Sequence, residues 1–531
     1  MRRKSGASRP FVPWMDERDF EQEDLSTEEL KQAAVAGVRW TTAARVGIEV
    51  ITLASAVVLA RLIAPAGFGE AVVPLIFVPL AIILTFEGFG SALVQRKTIE
   101  RSHVEAAVLA SLLTGVLLTG LTLALAEPVG KPLFGADTAK LLLMISPVFL
   151  LAGIGAVPRS MLWRRLDFRR VSLIEMVALA VAAVASVALA VAGLDAEAIV
   201  LGALLGSLVT SVLLVLAAPS PLPRWHHGAL REIMGFGVPA SAAGLTSVAI
   251  TNATLAVAAV RLTPSQVGLF WRAFQLGVIY QEKISGIMIR LAFPVYSRTT
   301  DLNELRRFHE RATRIHAAVL LPLLTLLIIT APDLVPWLFG ARWAPAVGPV
   351  QILCVAGMIA AILTGYPQIM LAAGKPRALF LFNVCLLTLY VAVSWVAAPH
   401  GITALAYAVV GIHVTLLLSV YGVLFKRVLG IPVKRLVTDL FPAVASSVLM
   451  LAVANPVAEL LRNQEAPVLL LLATVGIVGA WAYLAALYSL FPAVWNDVAQ
   501  LMQRVLPGRA VLVNALTPRR TARRAIEGAG S

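Results

Sequence analysis

A succession of apolar stretches, each about as long as a bilayer is thick, governs what this chain can fold into. A helix needs ~20 mostly apolar residues to cross a hydrocarbon core of roughly 30 Å. Stretches of that kind recur near 36–60, 70–94, 104–126, 138–158, 171–192, 198–217, 236–260, 267–293, 313–331, 347–371, 377–397, 402–424, 438–458 and 467–491. With 59% hydrophobic and 14% charged residues, the chain is outside the range of water-soluble domains. Inside lipid the backbone polar groups must be satisfied within the protein, and apolar stretches this long do so as helices, so the expected fold class is an all-α integral membrane protein with 14 transmembrane helices.

The loops set the expected orientation. One alternate set is rich in Lys and Arg: Arg96, Lys97 and Arg101; Arg159, Arg164, Arg165, Arg169 and Arg170; Arg306, Arg307, Arg311 and Arg314; Lys426, Arg427, Lys434 and Arg435. The other set holds isolated cations such as Arg61, Lys131, Arg261 and Arg342. The rich set is expected in the cytoplasm, which with an even span count puts both termini there. The formal charge of +14 therefore points to a membrane surface and not to nucleic acid. Residues 1–33 read as a cytoplasmic tail with no cleavable signal peptide, and 493–531 as a basic cytoplasmic tail.

One span departs from the apolar rule. Residues 266–293 carry Arg272, Glu282, Lys283 and Arg290. At ~100° per residue, Arg272, Lys283 and Arg290 fall within ~20° of one another, and 18 residues rise by roughly 27 Å. Cations at membrane depth face a watery cavity or a partner by default. Arg272 and Arg290, nearer the ends, either line such a cavity or snorkel to the interfaces. Lys283, nearer the middle, is read as facing the cavity. A basic ladder of this depth suits an anion that has to cross.

The chain also resembles itself at an offset of about 200 residues. Arg61-Leu62 returns as Arg261-Leu262, and Pro65 with Gly69 returns as Pro264 with Gly268. Leu133-Phe134-Gly135 returns as Leu338-Phe339-Gly340. The expected domains are a tail (1–33), an N-lobe of six spans (34–218), a linker (219–232), a C-lobe of six spans (233–425), a two-span hairpin (426–492) and the tail (493–531). Parallel repeats place a binding site where the two halves meet, and transport follows from rocking them. On this reading spans one, two, seven and eight line the cleft.

Residues LARLIAPAGFGEAVVPL (59–75), GFGSALVQRK (88–97), FGADTAKLLLMISPVFLLAGIGAVPRSMLWRRLDFRR (134–170) and YPQIMLAAGKPRAL (366–379) carry a resemblance. The chain resembles the MOP flippase superfamily, and within it the polysaccharide transporter family of Wzx-type oligosaccharide flippases. The resemblance implies movement of undecaprenyl-pyrophosphate-linked oligosaccharide across the bacterial inner membrane, for O-antigen, capsule or exopolysaccharide synthesis. The implied partners are the lipid-linked substrate, membrane lipids, H+ or Na+ as coupling ion, and other polysaccharide-assembly proteins. The family brings no catalytic motif, so the site residues rest on position and chemistry alone.

Those candidates are few. Arg272, Lys283, Arg290 and Arg45 are the cavity cations, since Arg and Lys hold pyrophosphate by charge-assisted hydrogen bonds. Glu49, Glu87 and Glu282 are the acids for ion coupling or pairing; Arg45 and Glu49 are four apart on one helical face. Gln275, Tyr280 and Gln281 either meet sugar hydroxyls or simply pack. Cys354 and Cys385 have no metal-ligand spacing, and neither a metal nor a cofactor is expected.

A lipid II flippase or a multidrug-type exporter of the same superfamily is the alternative, although an exporter of cations calls for a net acidic cavity. A membrane-embedded polysaccharide polymerase or ligase is the contrasting class. The external loops are short and no HExxH, GxSxG or Walker-type motif is present, so no enzyme activity is expected.

Overall fold

The computed structural model describes residues 27–286, 302–372, 374–428 and 433–505. Every long element among them is helical. In chain order, α1 covers Thr27–Leu62, followed by α2 (Pro65–Gln95), α3 (Arg101–Phe134), α4 (Ala136–Arg164), α5 (Phe168–Val191), α6 (Ala196–Ala217) and α7 (His227–Arg261). Next come α8, described over 264–286, and α9 (Leu302–Phe339). Then follow α10 (Ala341–Leu371), α11 (Arg377–His400) and α12 (Ile402–Phe425). The last three are α13 (Val433–Asn463), α14 (Val468–Leu490) and α15 (Pro492–Val505).

Twelve helices among the described residues are long and apolar enough to cross a membrane. The expected spans near 36–60 and 267–293 are the two outside that set. The first belongs to α1, which carries Arg39, Arg45, Glu49 and Arg61, and the second to α8 with its charged and amide side chains. The protein is thus a multi-pass membrane protein whose two polar helices stand apart from the rest. Large apolar side chains point outward all round: Leu216 is 72% exposed and Trp481 70%. That is the surface lipid requires and water penalises.

The chain divides into two compact units. One contains Met1–Trp271 with Asn383–Gly401, the other Arg272–Phe382 with Ile402–Ser531.

In the first unit α3 packs on α4, α5 on both α6 and α1, and α2 against α4, α6 and α7. Small residues allow the backbones to close up. A Cβ on Gly115 would come 2.7 Å from the carbonyl oxygen of Phe149. Pro74 and Pro79 interrupt α2 and free carbonyls, and the helix continues through a π-helical segment, Ile83–Gly90. Its far end is closed by Arg164 of α4, which donates to the carbonyls of Leu93 (3.0 Å), Arg96 and Lys97 (2.9 Å). These are carbonyls that a helix end leaves unsatisfied. α11 joins this unit through Ser394, whose hydroxyl donates to Thr254 at 3.2 Å, and through Trp395, under the Arg261 guanidinium at 4.6 Å.

In the second unit α9 packs against α10, α13 and α14, and α10 against α12. The α13–α14 hairpin is fastened by Arg462, which holds Asp333 of α9 with Nε at 3.0 Å and Nη2 at 2.7 Å, and also donates to Ile329 O. The short α15 folds back on α9 and α14. Its Val494 and Trp495 join an apolar cluster with Ala318, Tyr483 and Leu487, and its Asp497 pairs with Arg311 at 3.0 Å.

Candidate functional site

The polar half of α8 belongs to the second unit and opens with Arg272. That side chain is only 2% exposed. Its guanidinium carbon lies 4.9 Å from the centroid of Phe339 and 5.4 Å from that of the fully buried Trp343, and its Nη1 donates to Gln275 Oε1 at 3.0 Å. A planar cation over aromatic faces is well suited to such a box.

Gln275 starts a π-helical segment, Gln275–Ile279. Within it Gly277 abuts α10, where a Cβ on Gly357 would overlap the Gly277 carbonyl oxygen. Past this segment the helix sorts its side chains by face. Gln281 and Ser285, four apart, are buried against α9: Gln281 Nε2 donates to Ser285 Oγ at 2.6 Å, and Ser285 Oγ shares a 2.7 Å hydrogen bond with His316 Nε2. Glu282 and Lys283 are exposed on the other side. Lys283 Nζ stands 5.1 Å from the centroid of the half-buried Tyr280 ring. Arg290 lies outside the described residues. Along α8 the buried Arg272 and the exposed Lys283 thus have unlike surroundings. Gln275 and Gln281 make hydrogen bonds within the fold.

The remaining candidates belong to the first unit. On α1, Arg45 is exposed and Glu49 half-buried. Between them Gly47 faces Met176 of α5, 3.1 Å from a Cβ position. Glu87 sits in the π-helical segment of α2 and is half-buried. Its Oε2 lies 2.6 Å from the Cβ position of Gly244 on α7, so the carboxylate lies over that helix where it has no side chain. Two turns nearer the start of α7, a Cβ on Gly237 would overlap the carbonyl oxygen of Gly88.

A cavity of about 360 Å³ opens in the same unit among α2, α4, α5 and α6. Its charged wall is Arg159, paired with Glu175 at 3.2 Å and lying over Phe86 at 5.6 Å, and Thr85, Ser207 and Thr210 add hydroxyls. Sequence reasoning counted Arg159 with the loop arginines. The clue was Glu175, 16 residues on in the next span, which is an acid with no other reason to be there. No group of three or more His, Cys, Asp or Glu among the described residues is placed to hold a metal ion.

A family model described as "Polysaccharide biosynthesis protein" matches residues 58–348. The lipopolysaccharide biosynthesis protein WzxC of Escherichia coli (strain K12) is 26% identical over 447 residues, covering 82% of this chain and 90% of that protein. The teichuronic acid biosynthesis protein TuaB of Bacillus subtilis (strain 168) is 24% identical over 394 residues, covering 71% and 80%. Among solved structures, the lipid II flippase MurJ in an inward closed conformation matches with a TM-score of 0.67 at 13% identity, covering 84% of this chain and 97% of that one. An inward-facing multidrug resistance MATE family transporter of the MOP superfamily matches with a TM-score of 0.55 at 14% identity, covering 70% and 93%. At such identities these two structures establish a common fold.

Proposed function

The chain belongs to the polysaccharide biosynthesis protein family, and we propose that it is a flippase for oligosaccharide joined to undecaprenyl through pyrophosphate. It carries this substrate from the cytoplasmic to the periplasmic leaflet of the bacterial inner membrane by alternating access, making and breaking no bond. Both termini are cytoplasmic, as the Lys and Arg bias of the loops requires. H+ or Na+ is the coupling ion, and Glu49, Glu87 and Glu282 are the acids available to it.

The observation that carries this reading is Lys283, an exposed ammonium on a helix whose sequence reads as a membrane span. An exposed ammonium attracts an anion such as a pyrophosphate head, and Tyr280 beside it offers a ring face to a sugar. Arg272 and Arg290 are the further cations this reading assigns to the same stretch of sequence and Arg45 the one it assigns to α1, with Gln275 and Gln281 as its sugar contacts.

Deleting the gene should make lipid-linked oligosaccharide accumulate in the inner leaflet and abolish surface polysaccharide, and the wild-type chain should restore both. Unchanged surface polysaccharide in the deletion strain overturns the reading. Orientation is checked by single-cysteine labelling on a background lacking Cys354 and Cys385. Labelling of positions 299–303 from outside would reverse it.

A further inference from the structure

At one end of the first unit, a guanidinium and an imidazole converge on a single carboxylate oxygen. Glu232, on the second turn of α7, directs Oε2 at Arg96 Nη2, in an ion pair, and at His103 Nε2, 3.3 Å away. The tautomer of His103 follows from its other nitrogen: Nδ1 accepts the backbone N–H of Glu100 at 3.1 Å, so Nε2 carries a proton and donates. Arg96 Nη1 is also buried, and no acceptor lies within hydrogen-bond distance of it among the described residues. The carboxylate leaves this donor unused. A pyrophosphate joined at both ends, with two free oxygens on each phosphorus, presents acceptors in more than one direction and could engage both guanidinium nitrogens.

The carboxylate is also easy to remove. The Glu232 side chain is 53% exposed, and an ion pair that open to water contributes little to stability. What it does is tether. Ile233, the next residue, is fully buried with Leu93 and Val104, and Gly237 seats on Gly88 one turn further along. Glu232 therefore ties the start of α7 to the turn between α2 and α3, where Arg96, Lys97 and Arg101 concentrate positive charge. A second tie, His226 to Glu105 at 2.8 Å, lies beside it.

We propose that Arg96 and His103 form a receiving site for the pyrophosphate head of a polyprenyl-linked substrate, with Glu232 as the resident anion that the head displaces on entry. The proposal rests on the flippase reading and on the cytoplasmic placement of this end. Displacement exchanges one carboxylate oxygen for several phosphate oxygens, which can bind guanidinium bidentately, and it releases one of the two polar ties at the start of α7.

The test uses the full chain in nanodiscs of phosphatidylethanolamine and phosphatidylglycerol, with undecaprenyl pyrophosphate as probe and inorganic pyrophosphate as second ligand. Glu232→Gln removes the competing anion and should tighten probe binding by about tenfold, and Arg96→Gln should weaken it by about tenfold. In the double variant the gain from Glu232→Gln should vanish. Glu232→Asp, which draws the carboxylate back by one methylene, should also tighten binding and serves if the Gln variant fails to fold. Probe binding unchanged in Arg96→Gln, or unchanged in both Glu232 variants, overturns the site. Equal affinity for inorganic pyrophosphate overturns its assignment to a lipid-borne head. If the binding pattern holds while the wild-type chain exports no lipid-linked oligosaccharide in cells, the receiving site stands and the flippase reading falls.

Discussion

Gly69 of α2 and Gly268 of α8 face each other so closely that a Cβ on either would overlap a carbonyl oxygen at the start of the other's helix: Pro264 for Gly69 and Pro65 for Gly268. The contact reads the same in both directions. Its four residues are among those that recur in the sequence at an offset of about 200, so matching positions of the two stretches meet in this contact. Gly69→Ala or Gly268→Ala must push the backbones apart, which is expected to cost about 1–3 kcal/mol. Thermal melting in detergent should show the loss. Gly120→Ala, with nothing within 4 Å of its Cβ position, should leave melting unchanged or raised.

Lys283 is exposed, so its loss leaves no hole. Lys283→Ala is expected to stop export at normal protein abundance, with lipid-linked oligosaccharide trapped in the inner leaflet. Lys283→Arg keeps the charge and should retain part of the activity. Full surface polysaccharide from the alanine variant would remove Lys283 from the substrate path.

Arg272 calls for the opposite result. Its box of Phe339, Trp343 and Gln275 fits a planar guanidinium. Arg272→Lys should lower stability by about 1–2 kcal/mol, seen as reduced abundance and melting temperature. Normal abundance with lost export would place the guanidinium in contact with substrate.

The clamp of Arg462 on Asp333 is bidentate and only partly open to water, the side chains being 27% and 14% exposed. Arg462→Met strands the carboxylate and should destabilise by about 2 kcal/mol. Adding Asp333→Asn should recover part of that loss. A single variant as stable as wild type would make the clamp dispensable.

The fold was legible because lipid writes it in large letters: long apolar stretches, short loops and an alternating basic bias. The same logic singled out α8; α1, whose charges likewise keep it out of the twelve apolar helices, reads in the sequence as an ordinary span with an Arg45–Glu49 pair. The site was legible only along one helix. Periodicity put Arg272 and Lys283 on one stripe, but it does not record that Phe339 and Trp343, more than 60 residues away, enclose the first. Ser285 with His316, and His309 with Tyr421 at 3.1 Å, are likewise partnerships between helices, and neither residue's own span announces them. Arg159 was obscured differently. It precedes Arg164, Arg165, Arg169 and Arg170, and nothing in that series marks that α4 runs on through Arg159 to Arg164.

The π-helical segment of α2, Ile83–Gly90, stands between two prolines and an end gripped by Arg164. A π-turn stores one residue more than the α-turn it replaces. If that surplus is taken up, the helix beyond it turns by about 100° and advances about 1.5 Å. Glu87 and Gly88 would then swing off α7, while Pro65 and Gly69 at the other end stay where they are. α2 is therefore built less like a rod than like a cable with slack let into it, whose two ends need not move together.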